Sequence, residues 1–191
     1  MKLTETQKAN IEHIKNACAH IKNPDFLPAL LALSYGECGL IPREESCYYS
    51  VSRLAQVFPF LSASECQKLA FSKDKNAFFS VVYGPTKRGK GFVGNLTDED
   101  GGLFFGRGYL QLTGRANYDV IGTIISVDLV KQPELVNDPV IGAKVAVAYL
   151  QSRLLRAKGA TFFDKALNAV GGLRSDDEQV KEYFRFFQSL V

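Results

Sequence analysis

The sequence predicts a mainly α-helical domain with an irregular, glycine-rich middle. Three observations carry that prediction. Apolar residues recur at helical spacing near both ends of the chain, capping pairs open several of those runs, and eight glycines fall among the 26 residues from 83 to 108. At 191 residues the chain reads as a single domain over 1–191, with an opening helix over 1–23 and a core over 24–191. Its 46% hydrophobic and 23% charged content is ordinary for a globular protein.

The elements follow in order. Thr4 and Gln7 match a capping box, and Ile11, Ile14, Cys18 and Ile21 then share one stripe. Asn23-Pro24-Asp25 breaks that helix and offers Asp25 as the next N-cap. Phe26 to Tyr35 is apolar on nearly every side, the pattern of a central buried helix, and Pro28 is tolerable in its first turn. This helix is expected to stop near Gly36, with Glu37 standing at its end. Ser50 to Phe58 and Ser64 to Phe71 read as two short helices. From Tyr83 to Gly108, Lys87, Arg88 and Lys90 interleave with the glycines, which predicts a long loop region with room for a small β-hairpin. Asp138-Pro139 opens a helix running through Val145, Ala148 and Leu150. Ser175 and Glu178 match a second capping box, ahead of a stripe of Val180, Tyr183, Phe184, Phe187 and Leu190.

Composition excludes several classes of function. A net charge of +3 and a pI of about 8.6 are too mild for a nucleic-acid binder and favour an anionic surface or polymer. No run approaches the 18 apolar residues of a membrane span, so no stable membrane insertion is expected. Met1 to Asn16 is polar and carries no export signal, which predicts synthesis in the cytoplasm. Cys18, Cys38, Cys47 and Cys66 lack C-x-x-C spacing. Reduced, buried thiols are expected, although three disulfide pairings stay open. His13 and His20 lie seven residues apart on the first helix with no further ligands, so neither a metal nor a cofactor is expected. Gly106-x-Gly108 lacks the third glycine of a dinucleotide site, and no nucleophile-elbow or phosphate-loop pattern occurs.

Two acidic positions carry the candidate chemistry. Glu37 emerges from an all-apolar helix near its C-terminal end, where desolvation and the helix dipole both disfavour its charge. Such a carboxyl suits a general acid. Glu44 and Glu45 follow across the turn Gly39-Leu40-Ile41-Pro42, and paired carboxylates in unlike environments are the equipment of glycoside hydrolysis. The stretch from Gly106 to Tyr118, GRGYLQLTGRANY, adds Gln111, Thr113 and Asn117, uncharged hydrogen-bonding groups suited to a hydroxyl-rich ligand.

Together these residues resemble glycoside hydrolase family 19, the chitinase-like lysozymes, in the form of its phage endolysins. The resemblance runs from about Phe26 to the C-terminus and rests chiefly on residues 106–118. Val82-Tyr83-Gly84 upstream, and Asp128-Leu129-Val130 with Pro133-Glu134-Leu135 and Asp138-Pro139 downstream, resemble neighbouring segments of the family. It implies a lysozyme-like fold, with Gly36-Glu37-Cys38-Gly39 standing where the family has His-Glu-Ser-Gly-Gly and so mapping the general acid onto Glu37. Glu45-Ser46-Cys47-Tyr48-Tyr49-Ser50 stands where a second carboxylate precedes Asn-x-Asn-Tyr-Ser, which prefers Glu45 over Glu44 as general base. Thr113 would hold the attacking water, and Gln111, Asn117, Tyr83, Arg107 and Tyr118 would bind the glycan.

The chain departs from the pattern in lacking one glycine between the two acids, and in reading Val170-Gly171-Gly172 for the family's Asn-Gly-Gly, with Asn168 displaced. The family inverts the anomeric centre, a mechanism that separates its carboxyls by about 6.5–9.5 Å. The implied function is an endolysin that cleaves β-1,4 bonds of peptidoglycan glycan strands during host-cell lysis. It would be a monomer made in the bacterial cytoplasm, reaching the wall in the periplasm through a holin-like partner. The alternatives are a chitinase, or a glycan-binding or virion structural protein without catalysis.

Overall fold

The computed structural model describes residues 1–171 and 178–191. Its helices, in chain order, are α1 (Glu5–Ala17), α2 (Phe26–Cys38), α3 (Val51–Val57), α4 (Ala63–Leu69), α5 (Lys75–Tyr83) and α6 (Pro85–Arg88). There follow α7 (Asp98–Leu103), α8 (Arg115–Ile125), α9 (Pro139–Leu154), α10 (Phe162–Val170) and α11 (Glu178–Leu190). Short 3-10 turns occupy Phe92–Gly94 and Pro133–Asn137. Strands β1 (Arg43–Glu44) and β2 (Arg107–Gly108) pair with each other. The fold is mainly α, as the apolar spacing and the caps predict.

The chain forms two compact units, and it passes between them at residues 43/44, 106/107, 111/112 and 120/121. The first unit comprises Met1–Arg43, Arg107–Gln111 and Ile121–Val191. Its centre is α2, whose Ala29 to Leu33 have no exposed surface. Tyr35 of α2 meets Tyr183 of α11 edge-on at 4.7 Å, and Phe184 of α11 stacks on Phe163 of α10 at 4.2 Å. The opening helix belongs to this unit, where α1 packs on α9 and α2. Its capping box forms as expected, with Thr4 accepting from the Gln7 N–H and Gln7 reaching back to Thr4.

The second unit comprises Glu44–Gly106 and Leu112–Val120. Its core gathers Leu54, Phe58, Leu61, Phe78, Phe79, Val82 and Phe105. Ser50 and Ser62 cap α3 and α4, so both expected short helices are present.

Three expectations are corrected here. Gly36 does not stop α2. The helix continues through Glu37 to Cys38 and ends at Gly39, whose φ of +64° suits a residue without Cβ. The stretch from 83 to 108 is not a long loop, because α6 and α7 lie inside it. Its glycines serve close packing: a Cβ on Gly101 would sit 2.7 Å from the Phe79 carbonyl oxygen, so α7 can lie against α5 only with bare backbone there. No hairpin forms within the stretch either, since β2 pairs with the segment that follows α2. Asp25 precedes α2, but its side chain makes no cap bond and instead accepts from Gln188 Nε2 at 3.2 Å. The capping box expected at Ser175, and Gly172 of the Val-Gly-Gly segment, lie outside the described residues.

All four cysteines are free and buried, two in each unit.

Candidate active site

Glu37 lies in the first unit, in the last turn of α2. That turn closes with a Gly39 N–H bond to the Tyr35 carbonyl at 2.8 Å and a Leu40 N–H bond to the Ser34 carbonyl at 3.2 Å. Leu40 itself sits at φ +60°. Side chains of α1 hold the exit: Gln7 Nε2 donates to the Gly39 carbonyl at 2.9 Å and Asn10 Nδ2 to the Leu40 carbonyl at 2.8 Å. The helix end that carries Glu37 is therefore fixed from outside the helix. Burial pushes the Glu37 carboxyl above the usual range, while the positive charge of Arg43 draws it part of the way back. Arg43 Nη2 also donates to the Glu37 main-chain carbonyl at 3.1 Å. No described side chain donates a hydrogen bond to the Glu37 carboxyl itself.

Glu45 lies in the second unit. Its backbone N–H donates to the Gly106 carbonyl at 2.8 Å, which ties it to the start of the GRGYLQLTGRANY stretch. The Tyr83 hydroxyl lies 2.9 Å from each carboxylate oxygen and shares its proton between them. Tyr83 is itself set by packing. Its ring stacks on Phe79 at 5.5 Å, which stacks on Phe105 at 4.6 Å, and its carbonyl accepts from Asn95 Nδ2 at 3.0 Å. Burial raises the Glu45 carboxyl above its usual range, and the Tyr83 bond with a backbone bond from Gly106 opposes that rise. Burial and the neighbouring Glu45 charge push the Tyr83 phenol up in turn, so it stays a donor. Glu44 is engaged elsewhere in the unit, in a 2.5 Å ion pair with Lys75.

The rest of the predicted set divides between the units. In the first, Gln111 sits at φ +50° and its Nε2 donates to the Arg43 carbonyl at 3.0 Å and the Gly108 carbonyl at 3.1 Å. Gly108, at φ +81°, donates to Asn137 Oδ1 at 3.0 Å, and Arg107 is only 6% exposed. In the second, Asn117 Nδ2 donates to the Thr113 carbonyl at 2.6 Å, and both residues are half-buried.

Tyr118 corrects the sequence reading. It has no exposed surface, and its hydroxyl donates to the Phe105 carbonyl at 2.8 Å, so it holds the core and meets no glycan. Tyr83 is partly redirected too, from a sugar contact to the donor on Glu45. A readable signal for that role existed, since Phe79 and Tyr83 stand four apart on one helix face. The bonds from Gln7 and Asn10 had none, because the opening helix carries little of the family pattern.

Solved structures share the fold: a bacterial family 19 chitinase, at 14% identity, aligns with a TM-score of 0.55 over 95% of this chain and 84% of its own. Chitinase C from Streptomyces griseus HUT6037, at 15% identity, aligns at 0.54 over 98% of this chain and 69% of its own. A family described as chitinase class I (glycoside hydrolase family 19) matches residues 69–156 of this chain. Among curated relatives, the acidic 27 kDa endochitinase of Solanum lycopersicum is 45% identical over 65 residues, 34% of this chain and 26% of that protein. The acidic endochitinase of Petunia hybrida is 46% identical over 48 residues, 25% of this chain and 19% of that one. The chain thus spans about a quarter or less of the length of these curated relatives.

Proposed function

We propose that the protein is a glycoside hydrolase that cleaves β-1,4 bonds of peptidoglycan by general acid/base catalysis, in the manner of an endolysin. The observation that carries this reading is the unequal treatment of the two carboxyls. Hydrogen bonds to a carboxylate favour its charged form, and Glu45 has them from Tyr83 and Gly106. Glu37 is desolvated with no such donor among the described residues. Glu45 is therefore the base that activates water and Glu37 the acid that protonates the glycosidic oxygen. Thr113 holds the water, and Asn117 with Gln111 meets the sugar. By the family resemblance the product would leave with inverted configuration, which requires the wider carboxyl separation.

Peptidoglycan is preferred over chitin on two grounds. A net charge of +3 favours a polymer bearing peptide carboxylates over a neutral one. Four unpaired thiols suit a protein made in a reducing cytoplasm, which then reaches the wall as a monomer through a membrane-permeabilising partner. The second reading, a chitinase, is favoured by the names of the relatives and structural neighbours. Clearing of permeabilised Gram-negative cells without hydrolysis of glycol chitin is the expected result, and the reverse pattern selects the chitinase. Proton NMR of the first anomer released tests inversion.

A further inference from the structure

Tyr48 and Phe71, both in the second unit, form an edge-to-face pair with ring centroids 5.3 Å apart and planes at 61°. Neither ring is buried: Tyr48 is 63% exposed and Phe71 53%. The pair is nonetheless held in place. Phe71 has a φ of +54°, a left-handed backbone that is strained for a bulky residue. Its N–H donates to the Tyr49 carbonyl at 2.9 Å. The Cys47 thiol donates to the Ser72 carbonyl at 3.3 Å, so the two segments are tied on both sides of the rings. The Tyr48 N–H in turn donates to Ser46 Oγ at 3.2 Å. A backbone strained so as to keep two rings together in water presents a surface for recognition.

The occupant follows from position and chemistry. Tyr48 is three residues beyond Glu45, so their Cα atoms lie at most about 11 Å apart. A polymer passing Glu45 has neighbouring rings within reach of Tyr48. One face of a pyranose consists of C–H groups and its rim of hydroxyls. An aromatic face matches the first, and the Tyr48 hydroxyl, which makes no hydrogen bond among the described residues, suits the second. We propose that Tyr48 and Phe71 form a platform for an N-acetylhexosamine ring of the β-1,4 glycan, at a position beyond the bond that is cut. This rests on the glycan-hydrolase reading above.

The test compares wild type with Tyr48→Ala and Phe71→Gly, the latter chosen because glycine relieves the positive φ and preserves folding. Binding to N-acetylglucosamine hexamer, followed by tyrosine resonances, and pelleting with purified sacculi are measured beside turnover. Each variant is expected to weaken binding and raise KM about five- to tenfold, with kcat at saturation within about twofold. Unchanged binding and KM in folded variants overturns the platform while leaving the hydrolase reading intact. A wild type that binds but does not cleave, with binding lost in the variants, supports the platform and removes the hydrolase. Concentration-dependent self-association of wild type that the variants abolish, with glycan binding unchanged, assigns the rings to a second copy of the chain and overturns the proposal.

Discussion

Glu37 and Glu45 carry the same functional group, and burial lifts both above the ordinary carboxylate range, yet different partners oppose that lift. Glu37 ends a buried helix and is answered only by the charge of Arg43. Glu45 leaves a short strand into irregular backbone and is answered by directed hydrogen bonds, with the Tyr83 proton placed between its two oxygens. A distant charge lowers a pKa without fixing a carboxyl's orientation, whereas a shared hydrogen bond does both. On the proposed reading, the difference teaches how one reaction would draw an acid and a base from two glutamates: the first is left free to turn toward a leaving group, and the second is aimed.

The comparison can be broken at several points. On the proposed reading, Glu37→Gln removes the proton donor and should lower kcat about 10³-fold, read as the rate of wall clearing; Glu45→Gln should cost about 10²–10³-fold. Equal activity of either variant and wild type removes that residue from the chemistry. Tyr83→Phe is the sharper probe. Without the phenol proton the Glu45 pKa rises, so the acidic limb of the kcat/KM profile moves to higher pH, and activity on that limb falls by up to about tenfold. If the limb stays in place, Tyr83 does not set the base.

Asn10→Ala tests the other side. It strips a buried donor from the Leu40 carbonyl and should cost about 1–2 kcal/mol of stability by denaturant titration. It should also loosen the helix end that carries Glu37 while leaving the Glu45 limb of the pH profile unmoved. The smallest expected effect is on stability against pH. Each carboxyl has a folded pKa above its unfolded value, so its contribution is full below the ordinary value of 4.5 and is lost as pH rises through the folded value. Glutamine escapes that loss. Both Gln variants should therefore melt above wild type at neutral pH, with the advantage vanishing in acid.

Local signals gave much of this fold. The Thr4, Ser50 and Asp138 caps stand where the helices begin, because capping is a matter of neighbouring residues. The glycine-rich stretch misled because glycine reads alike whether it frees a loop or lets two helices touch; only the approach of Gly101 to Phe79 tells them apart. Gly36 misled similarly, as the residue that leaves the helix is Gly39. Glu37 was singled out by its surroundings in sequence, whereas Glu45 was preferred over Glu44 by the family resemblance alone. Tyr118 was misassigned because a motif marks which residues matter without saying whether they face the ligand or the core.

The buried cysteines have a consequence for watching this protein open. Cys18 and Cys38 belong to one unit, Cys47 and Cys66 to the other, and none exposes more than 6% of its surface. Burial pushes Cys18 up to about 12 and Cys38 up to about 11, so the first pair offers almost no thiolate at neutral pH. A thiol reagent should therefore label the folded chain only as fast as each unit breathes. The native sequence already carries a matched pair of clocks, and comparing their rates reveals whether the two units unfold together or apart.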